Sequence, residues 1–384
     1  MLFLQRILPE IWSFKMAQLG RLIIDAGEIS ADLRYASGFS TPDDFIWFEA
    51  ADLRGVVMSS LEYNRAKSSA APGVSVFAEE EMGGPERLNI IKEVARRYHL
   101  SGFIVPADFP LLWADKIRSC GLTVQPCDSK FFPEREFKNE AETEKIICSL
   151  RAAESGCRRA FDVLREAEIS ADKVLIWNGS PLTSEILRFE IDSTMMKCGM
   201  LATGTICAGG IQGSQPHNSG SGVLYADSPI VMDVFPRSAE NGYWGDLTRT
   251  VVKGKPSDIV KRAYEAVLEA RETGKKMIAP GVSSKEIHNA AARVLEKYGF
   301  HTGRNERGDF GFFHGLGHGV GLDIHEAPRL SYRVDEPLKK GIVVTVEPGL
   351  YYPAWGGIRL EDMVYLDHDG NARCLTEIED FLVV

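Results

Sequence analysis

Between Arg21 and Asp128, short apolar runs alternate with segments of helical period. RLIID, DFIWFEA, GVVMSS and VSVFAEE are β-branched or aromatic and bounded by turn residues, which predicts strands. From Pro85 to Tyr98 the residues Leu88, Ile91, Val94 and Ala95 share one face, which predicts an amphipathic helix, and GFIVPA follows as a strand. Strands alternating with helices predict an α/β domain. No G-x-G-x-x-G follows a strand here and no P-loop is present, so this part reads as a folding or dimerising unit. The charged stretch FFPEREFKNEAETEK then marks a boundary, and two domains are expected, residues 1–133 and 134–384.

The second part opens on a helical stripe, Ile146, Leu150, Ala153, Cys157, Ala160 and Leu164, expected to pack on that domain's sheet. SPLTSEILRFEIDSTMMKCGM is helical by period and opened by a Ser or Thr cap. TGTICAGGIQGSQPHNSGSG reads as strand and loop, and by itself its His217 is a solvated loop residue. Two helices are expected from Ser257 to Thr273 and from Ser283 to Tyr298, the second with the capping box Ser283-x-x-Glu286. His288 has no partner visible in sequence and reads as structural.

Three stretches carry the chemistry. Residues 230–252, IVMDVFPRSAENGYWGDLTRTVV, form an apolar strand with Asp233, a turn at Asn241-Gly242, and a return strand carrying Asp246. In residues 341–366, GIVVTVEPGLYYPAWGGIRLEDMVYL, Glu347 ends an apolar strand, while Arg359 and Glu361 share one face of the next by period two. GFFHGLGHGVGLDIHEAPR, residues 311–329, packs His314, His318 and His325 among glycines, with spacings that aim imidazoles into one cavity. A carboxylate buried in VVTVE or IVMDVF is costly unless something positive compensates it. Singly, each could pair with an arginine. Four carboxylates beside a histidine cluster make a metal centre the better account.

Asp233, Asp246, Glu347 and Glu361 bring four negative charges, which two divalent ions balance. Oxygen-rich ligation with one imidazole suits Mn²⁺, with Co²⁺ or Zn²⁺ as alternatives. Two such ions roughly 3.5–4 Å apart activate a bridging water and polarise a carbonyl, which is amide or ester hydrolysis. The net charge of −10 argues against a nucleic-acid partner, and no apolar run reaches membrane-span length. MLFLQRILPEIW lacks a basic leader and a small-residue cleavage site, so no secretory signal is expected. Seven cysteines, odd in number and never C-x-x-C, fit reduced thiols and a cytoplasmic location.

Asp233, Asp246, His318, Glu347 and Glu361, in that order, resemble the five metal ligands of the "pita-bread" metallopeptidases, the M24 superfamily of methionine aminopeptidase, aminopeptidase P and prolidase. GDLTRT, HGLGHGVGLDIHE, TVEPGLYYP and GIRLED around them match as well. DLRYASGF resembles the N-terminal domain of the creatinase/prolidase branch, which methionine aminopeptidases normally lack. The resemblance therefore implies an α/β N-terminal domain followed by an α+β pita-bread (creatinase/aminopeptidase) catalytic domain, a homodimer, and hydrolysis of the bond between an N-terminal residue and proline.

By the same resemblance, Asp233 is a bidentate bridging ligand of the metals, Asp246 and Glu361 bridge too, and His318 and Glu347 each bind one ion. Glu347 also shuttles a proton from the bridging hydroxide's water to the proline nitrogen. His325 resembles the histidine that contacts the scissile carbonyl, and His314 and His217 resemble the substrate-pocket histidines. Arg359 resembles the arginine bracing the ligand carboxylates. Arg333, or its rival Arg329, stands where some prolidases bind a substrate carboxylate. Two features depart from the family. The hairpin DVFPRSAENGYWGD has two extra residues, which a period-two strand absorbs without changing the face of Asp246. Phe235, Pro236 and Arg237 replace a small-residue turn and are expected to reshape one pocket wall. A creatine-hydrolase type and a non-catalytic interaction protein share this fold, but such relatives lose ligand carboxylates and this chain has kept every one.

Overall fold

The computed structural model describes residues 18–306 and 308–384. MLFLQRILPEIW, and the expectation that it is no secretory signal, lie outside the described residues. The chain divides into two compact units between Pro133 and Glu134.

The first unit is built on six strands: β1 (Leu19–Ala26), β2 (Asp44–Ala50), β3 (Leu53–Met58), β4 (Val74–Ala78), β5 (Gly102–Val105) and β6 (Thr123–Pro126). Their order is β4-β3-β2-β1-β5-β6, with β1 antiparallel to β2 and parallel to β5. Side chains alternate across the sheet. Leu22, Ile24, Ile46 and Phe48 enter one core with the helices Arg87–Arg97 and Leu111–Ser119. Ile23, Phe45 and Trp47 enter the other with Ala31–Ser37 and Tyr63–Ser69. A sheet covered on both faces needs apolar residues at nearly every central position, which is why these strands read as continuous runs. VSVFAEE is shorter than its pattern suggests. The strand stops at Ala78, and Glu79–Met82 coils into a 3₁₀ turn that buries Met82, because a glutamate run has little reason to stay extended.

The second unit opens with the helix Glu140–Glu166, capped reciprocally by Asn139 and Glu142. Its stripe packs on the helix Ser184–Lys197 and on the strands Pro229–Val234 and Leu247–Val252. Thr183 caps the second helix, accepting from the Ile186 amide. Ile206–Gly209, Pro229–Val234 and Leu247–Val252 form one antiparallel sheet. A second antiparallel sheet runs in the order Glu326–Leu330, Gly317–Gly319, Ile342–Val346, Asp362–Leu366 and Ala372–Cys374. The helices Asp258–Met277 and Ser284–Lys297 lay their apolar faces on this part through Val267, Ala270, Ile287 and Leu295, which meet Ile342, Val344 and Val346. The capping box expected at Ser283 is replaced by another arrangement. Ser283 accepts from the Lys285 amide, and its hydroxyl donates to Asp335 at 2.6 Å, a charged acceptor stronger than a neutral one. Among the described residues no helix is long and apolar enough to cross a membrane.

His288 is buried, as its lack of a partner in sequence suggests. It stacks on Phe312 at 5.0 Å between ring centroids, and its Nδ1 has no hydrogen-bond partner among the described residues. Burial, followed by the nearby His314, pushes it down to about 4. The unfolded chain therefore takes up this proton near the ordinary histidine value, while the folded protein refuses it until about pH 4. The stability it contributes is complete above pH 6.5 and is lost as pH falls towards 4. Replacing it, His288→Leu, should flatten that part of the curve, so that the variant's urea midpoint gains on the wild type from pH 7 to 5. Parallel curves for the two proteins would show that His288 does not titrate in that window.

Candidate active site

Both sheets deliver side chains into one cavity of about 1260 Å³. Asp233 lies in the strand Pro229–Val234, opposite Thr248 on one neighbour and Ile206 on the other. Asp246 stands one residue before the strand Leu247–Val252 rather than within it. Arg237–Ser238 pairs with Met200–Leu201, and Gly242 turns the chain at φ 80. Asp233 and Asp246 both line the cavity, and so does Phe235 from the segment between them.

His318 occupies the three-residue strand Gly317–Gly319. A Cβ at Gly317 would lie 2.0 Å from the Thr345 carbonyl oxygen, and one at Gly319 2.0 Å from that of Ala327. Only glycine lets this strand lie so close to both neighbours. Glu347 follows directly on the strand Ile342–Val346. Arg359 and Glu361 do not share one strand as their spacing suggests. Arg359 ends Gly356–Arg359, which pairs with Gly349–Tyr352, and Glu361 precedes Asp362–Leu366 in the larger sheet. The chain changes sheets at Leu360, yet both side chains still line the cavity. His217, His314, His325, Arg329 and Arg333 line it too, so the candidate ligands, histidines and arginines meet in one place, while Pro236 and Arg237 stay out of the wall.

The interior is a tight electrostatic arrangement. His318 Nε2 lies 3.1 Å from Glu347 Oε1 and 3.6 Å from Asp246 Oδ2. Its Nδ1 is 3.2 Å from the Gly319 carbonyl, which takes the proton on that nitrogen and turns Nε2 towards the carboxylates. Arg359 Nη2 donates to Asp233 Oδ2 at 2.7 Å, and its Nη1 donates to the Tyr351 hydroxyl at 2.9 Å. That hydroxyl is 3.0 Å from His314 Nε2, while His314 Nδ1 is 2.7 Å from the Gly315 carbonyl. A carbonyl can only accept, so Nδ1 carries the proton and Nε2 accepts from Tyr351. Thr248 links the two arms of the site, accepting from Arg359 Nε at 3.2 Å and donating to Glu361 Oε2 at 2.9 Å.

Burial raises Asp233, with Glu347 adding to it against the opposing Arg359. Asp246 rises further through burial and Asp233, and Glu361 through burial and Asp246. Glu347 alone goes the other way. Burial, the largest single influence, pushes it up, but the hydrogen bond and charge of His318, together with His314 and Arg359, outweigh it and hold Glu347 at about 2. His325 is exposed to the cavity, its ring edge-on to His318 at 4.4 Å; the surrounding protein, then His318, pushes it down to about 4. Burial pushes the Tyr351 phenol up to about 12.

These residues fit a divalent metal. Ligand atoms of Asp246, His318 and Glu361 all lie within 4.8 Å of one another, and all three residues are buried. Glu361 Oε1 has no hydrogen-bond partner among the described residues, an expensive state for a buried carboxylate oxygen unless a cation meets it. Sequence reasoning missed Tyr351, Thr248 and Thr345. Thr248 is two residues after Asp246 and Thr345 two before Glu347, so period two was the available signal. Thr345 accepts from the His318 amide at 3.1 Å and donates to Glu347 Oε1 at 3.3 Å.

Residues 144–368 match Metallopeptidase family M24. An Xaa-Pro dipeptidase of Pyrococcus furiosus is 39% identical over 252 residues, 64% of this chain and 68% of that protein. The crystal structure of an X-Pro aminopeptidase from Thermotoga maritima superposes with a TM-score of 0.80 at 27% identity, covering 96% of this chain and 98% of that one. The prolidase of Pyrococcus horikoshii shares the fold, with a TM-score of 0.79 at 24% identity over 95% of each chain. The chain belongs to metallopeptidase family M24: it carries the pita-bread fold and is a hydrolase that uses divalent metal.

Raised carboxylates must lose their protons when a cation binds. Calorimetric titration with Mn²⁺ at pH 6 in two buffers of different ionisation enthalpy should therefore show net proton release, with affinity rising as pH is raised. Heats that do not depend on the buffer would contradict the raised values of Asp246 and Glu361.

Proposed function

We propose that this M24 member is an Xaa-Pro peptidase, hydrolysing the amide bond between an N-terminal residue and proline in a dipeptide or a longer peptide. The observation that carries the reading is the meeting of Asp233, Asp246, His318, Glu347 and Glu361 in one buried cavity. In this reading these five hold two divalent cations, Mn²⁺ by preference because four of the five donors are carboxylates. The cations, when bound, supply Lewis acidity towards the carbonyl and make a water acidic enough to ionise near neutral pH.

The remaining work falls to the chain itself. Glu347 is ionised at neutral pH, and its carboxylate takes the proton of the attacking water. The water oxygen adds to the carbonyl carbon, the C–N bond breaks, and Glu347 returns the proton to the proline nitrogen. His325, neutral above pH 4 and open to the cavity, donates an N–H to the carbonyl oxygen as charge develops there. Arg359 holds Asp233 through a direct ion pair and, through Tyr351, fixes the orientation of His314. His314 and His217 line the substrate's path, and Arg333 or Arg329 meets the free carboxylate of a dipeptide. Seven unpaired cysteines support a reducing, cytoplasmic setting.

The Mn²⁺-loaded protein should cleave an Xaa-Pro dipeptide, an Xaa-Pro-Xaa tripeptide, or both. Glu347→Gln should lower kcat by about 10²–10⁴-fold. Dipeptide cleavage alone assigns a dipeptidase and tripeptide cleavage alone an aminopeptidase; cleavage of neither by metal-loaded protein overturns the proposal.

A further inference from the structure

His325 reaches the cavity from the turn that joins Gly321 to Glu326, and what fixes this turn lies outside the cavity. Glu326 begins the strand Glu326–Leu330 and is itself no part of the cavity wall. Lys138 donates to its Oε1, and Arg135 donates to its Oε2 at 3.0 Å. Arg135 also donates to Asp323 Oδ2 at 2.7 Å, so one guanidinium ties the middle of the turn to its end. Trp244 holds its start, with its amide donating to the Gly321 carbonyl at 2.9 Å and its indole to that of Leu322 at 3.1 Å. A Cβ on Gly321 would lie 2.5 Å from Glu326 Oε1, so the carboxylate fills the space a larger residue would need.

Lys138 ties this turn to the other half of the site. Only 1% of it is exposed. Its amide donates to the Gly341 carbonyl at 2.6 Å, where the strand leading to Glu347 begins. Its own carbonyl lies 3.0 Å from His368 Nε2 and 3.5 Å from the Tyr365 hydroxyl, and Tyr365 lies in the strand that leads away from Glu361. One residue thus grips the strands next to two of the site's carboxylates with its backbone and the His325 turn with its side chain. Stability alone does not call for this, because a well-packed apolar pair commonly serves as well as a buried ion pair. What an ion pair adds is a fixed direction and distance.

We propose that Lys138 and Glu326 are positioning residues that set His325 against Glu347 and Glu361, with Arg135 as the second clasp. The inference rests on the role given to His325 in Xaa-Pro hydrolysis, and its test separates the two. In the Mn²⁺-loaded enzyme, Lys138→Met should lower kcat by about ten- to a hundredfold, with KM and metal content little changed. Removing both charges, in Lys138→Met with Glu326→Gln, should restore the thermal midpoint but not kcat. In a His325→Ala background, Lys138→Met should change kcat by less than about twofold. A full loss in that background, or recovery of kcat in the double variant, overturns the proposal.

A readout without turnover completes the test. With ¹⁵N-labelled histidine, the His325 ring resonance, assigned by its loss in His325→Ala, should shift and broaden in Lys138→Met and in the charge-free double variant. Those of His217 and His314 should stay in place. An unmoved His325 resonance sinks the positioning role whatever the activity. Should the wild-type enzyme cut neither peptide, the functional reading falls while this resonance still decides whether the clamp holds His325.

Discussion

Four carboxylates share one low-dielectric cavity, and the rest of the catalytic unit is arranged around that repulsion. Asp246, Glu361 and His318 are buried, while Asp233 and Glu347 are largely so. Carboxylates so close and so poorly hydrated cannot all stay ionised without positive charge among them. The protein supplies two cationic groups from its own chain, Arg359 against Asp233 and His318 against Glu347. Those two suffice to keep Glu347 ionised, but Asp233, Asp246 and Glu361 all remain raised. That excess of negative charge suits a divalent cation better than a set of internal ion pairs.

Adjacent residues show how finely this is partitioned. Asp362 follows Glu361 directly and, on a strand, points to the opposite face. There it meets Arg249, Arg271 and Lys275, the last at 2.6 Å. Burial pushes Asp362 up, but those three cations hold it below the ordinary carboxylate value, whereas Glu361 is driven well above it. Arg249 also donates to the Glu361 carbonyl at 2.6 Å and to that of Ile378 at 3.3 Å. The backbone that presents the underpaired carboxylate is therefore clamped by a fully paired one behind it. A centre that must hold repelling charges needs such rigidity, because any freedom would let them separate.

Much of this was legible in the chain. Asp233 within IVMDVF and Glu347 after VVTV stood out because a carboxylate in an apolar strand needs an explanation. Period two predicted Asp246 on the face of Asp233, and both line the cavity. Other features were hidden for definite reasons. The strand change at Leu360 leaves no mark in GIRLED, since an extended chain looks the same on either sheet. Tyr351 reads as one more aromatic, and only the pairing of Gly349–Tyr352 with Gly356–Arg359 brings its hydroxyl to Arg359. Ser283 still caps its helix through the Lys285 amide, but in place of the expected box its hydroxyl donates to Asp335, 52 residues away, a partner no local pattern announces.

By itself the sequence determined which residues carry charge, which strands are buried and on which face each candidate ligand falls, because strand period and burial preference are local properties. Family membership follows from the same local pattern. Tertiary structure alone decided which carboxylates repel and which are paired, that His314 accepts from Tyr351, and that Lys138 reaches Glu326 across 188 residues. These depend on distances between segments remote in the chain, and Coulomb energy and hydrogen bonding are set by those distances, which no local pattern encodes.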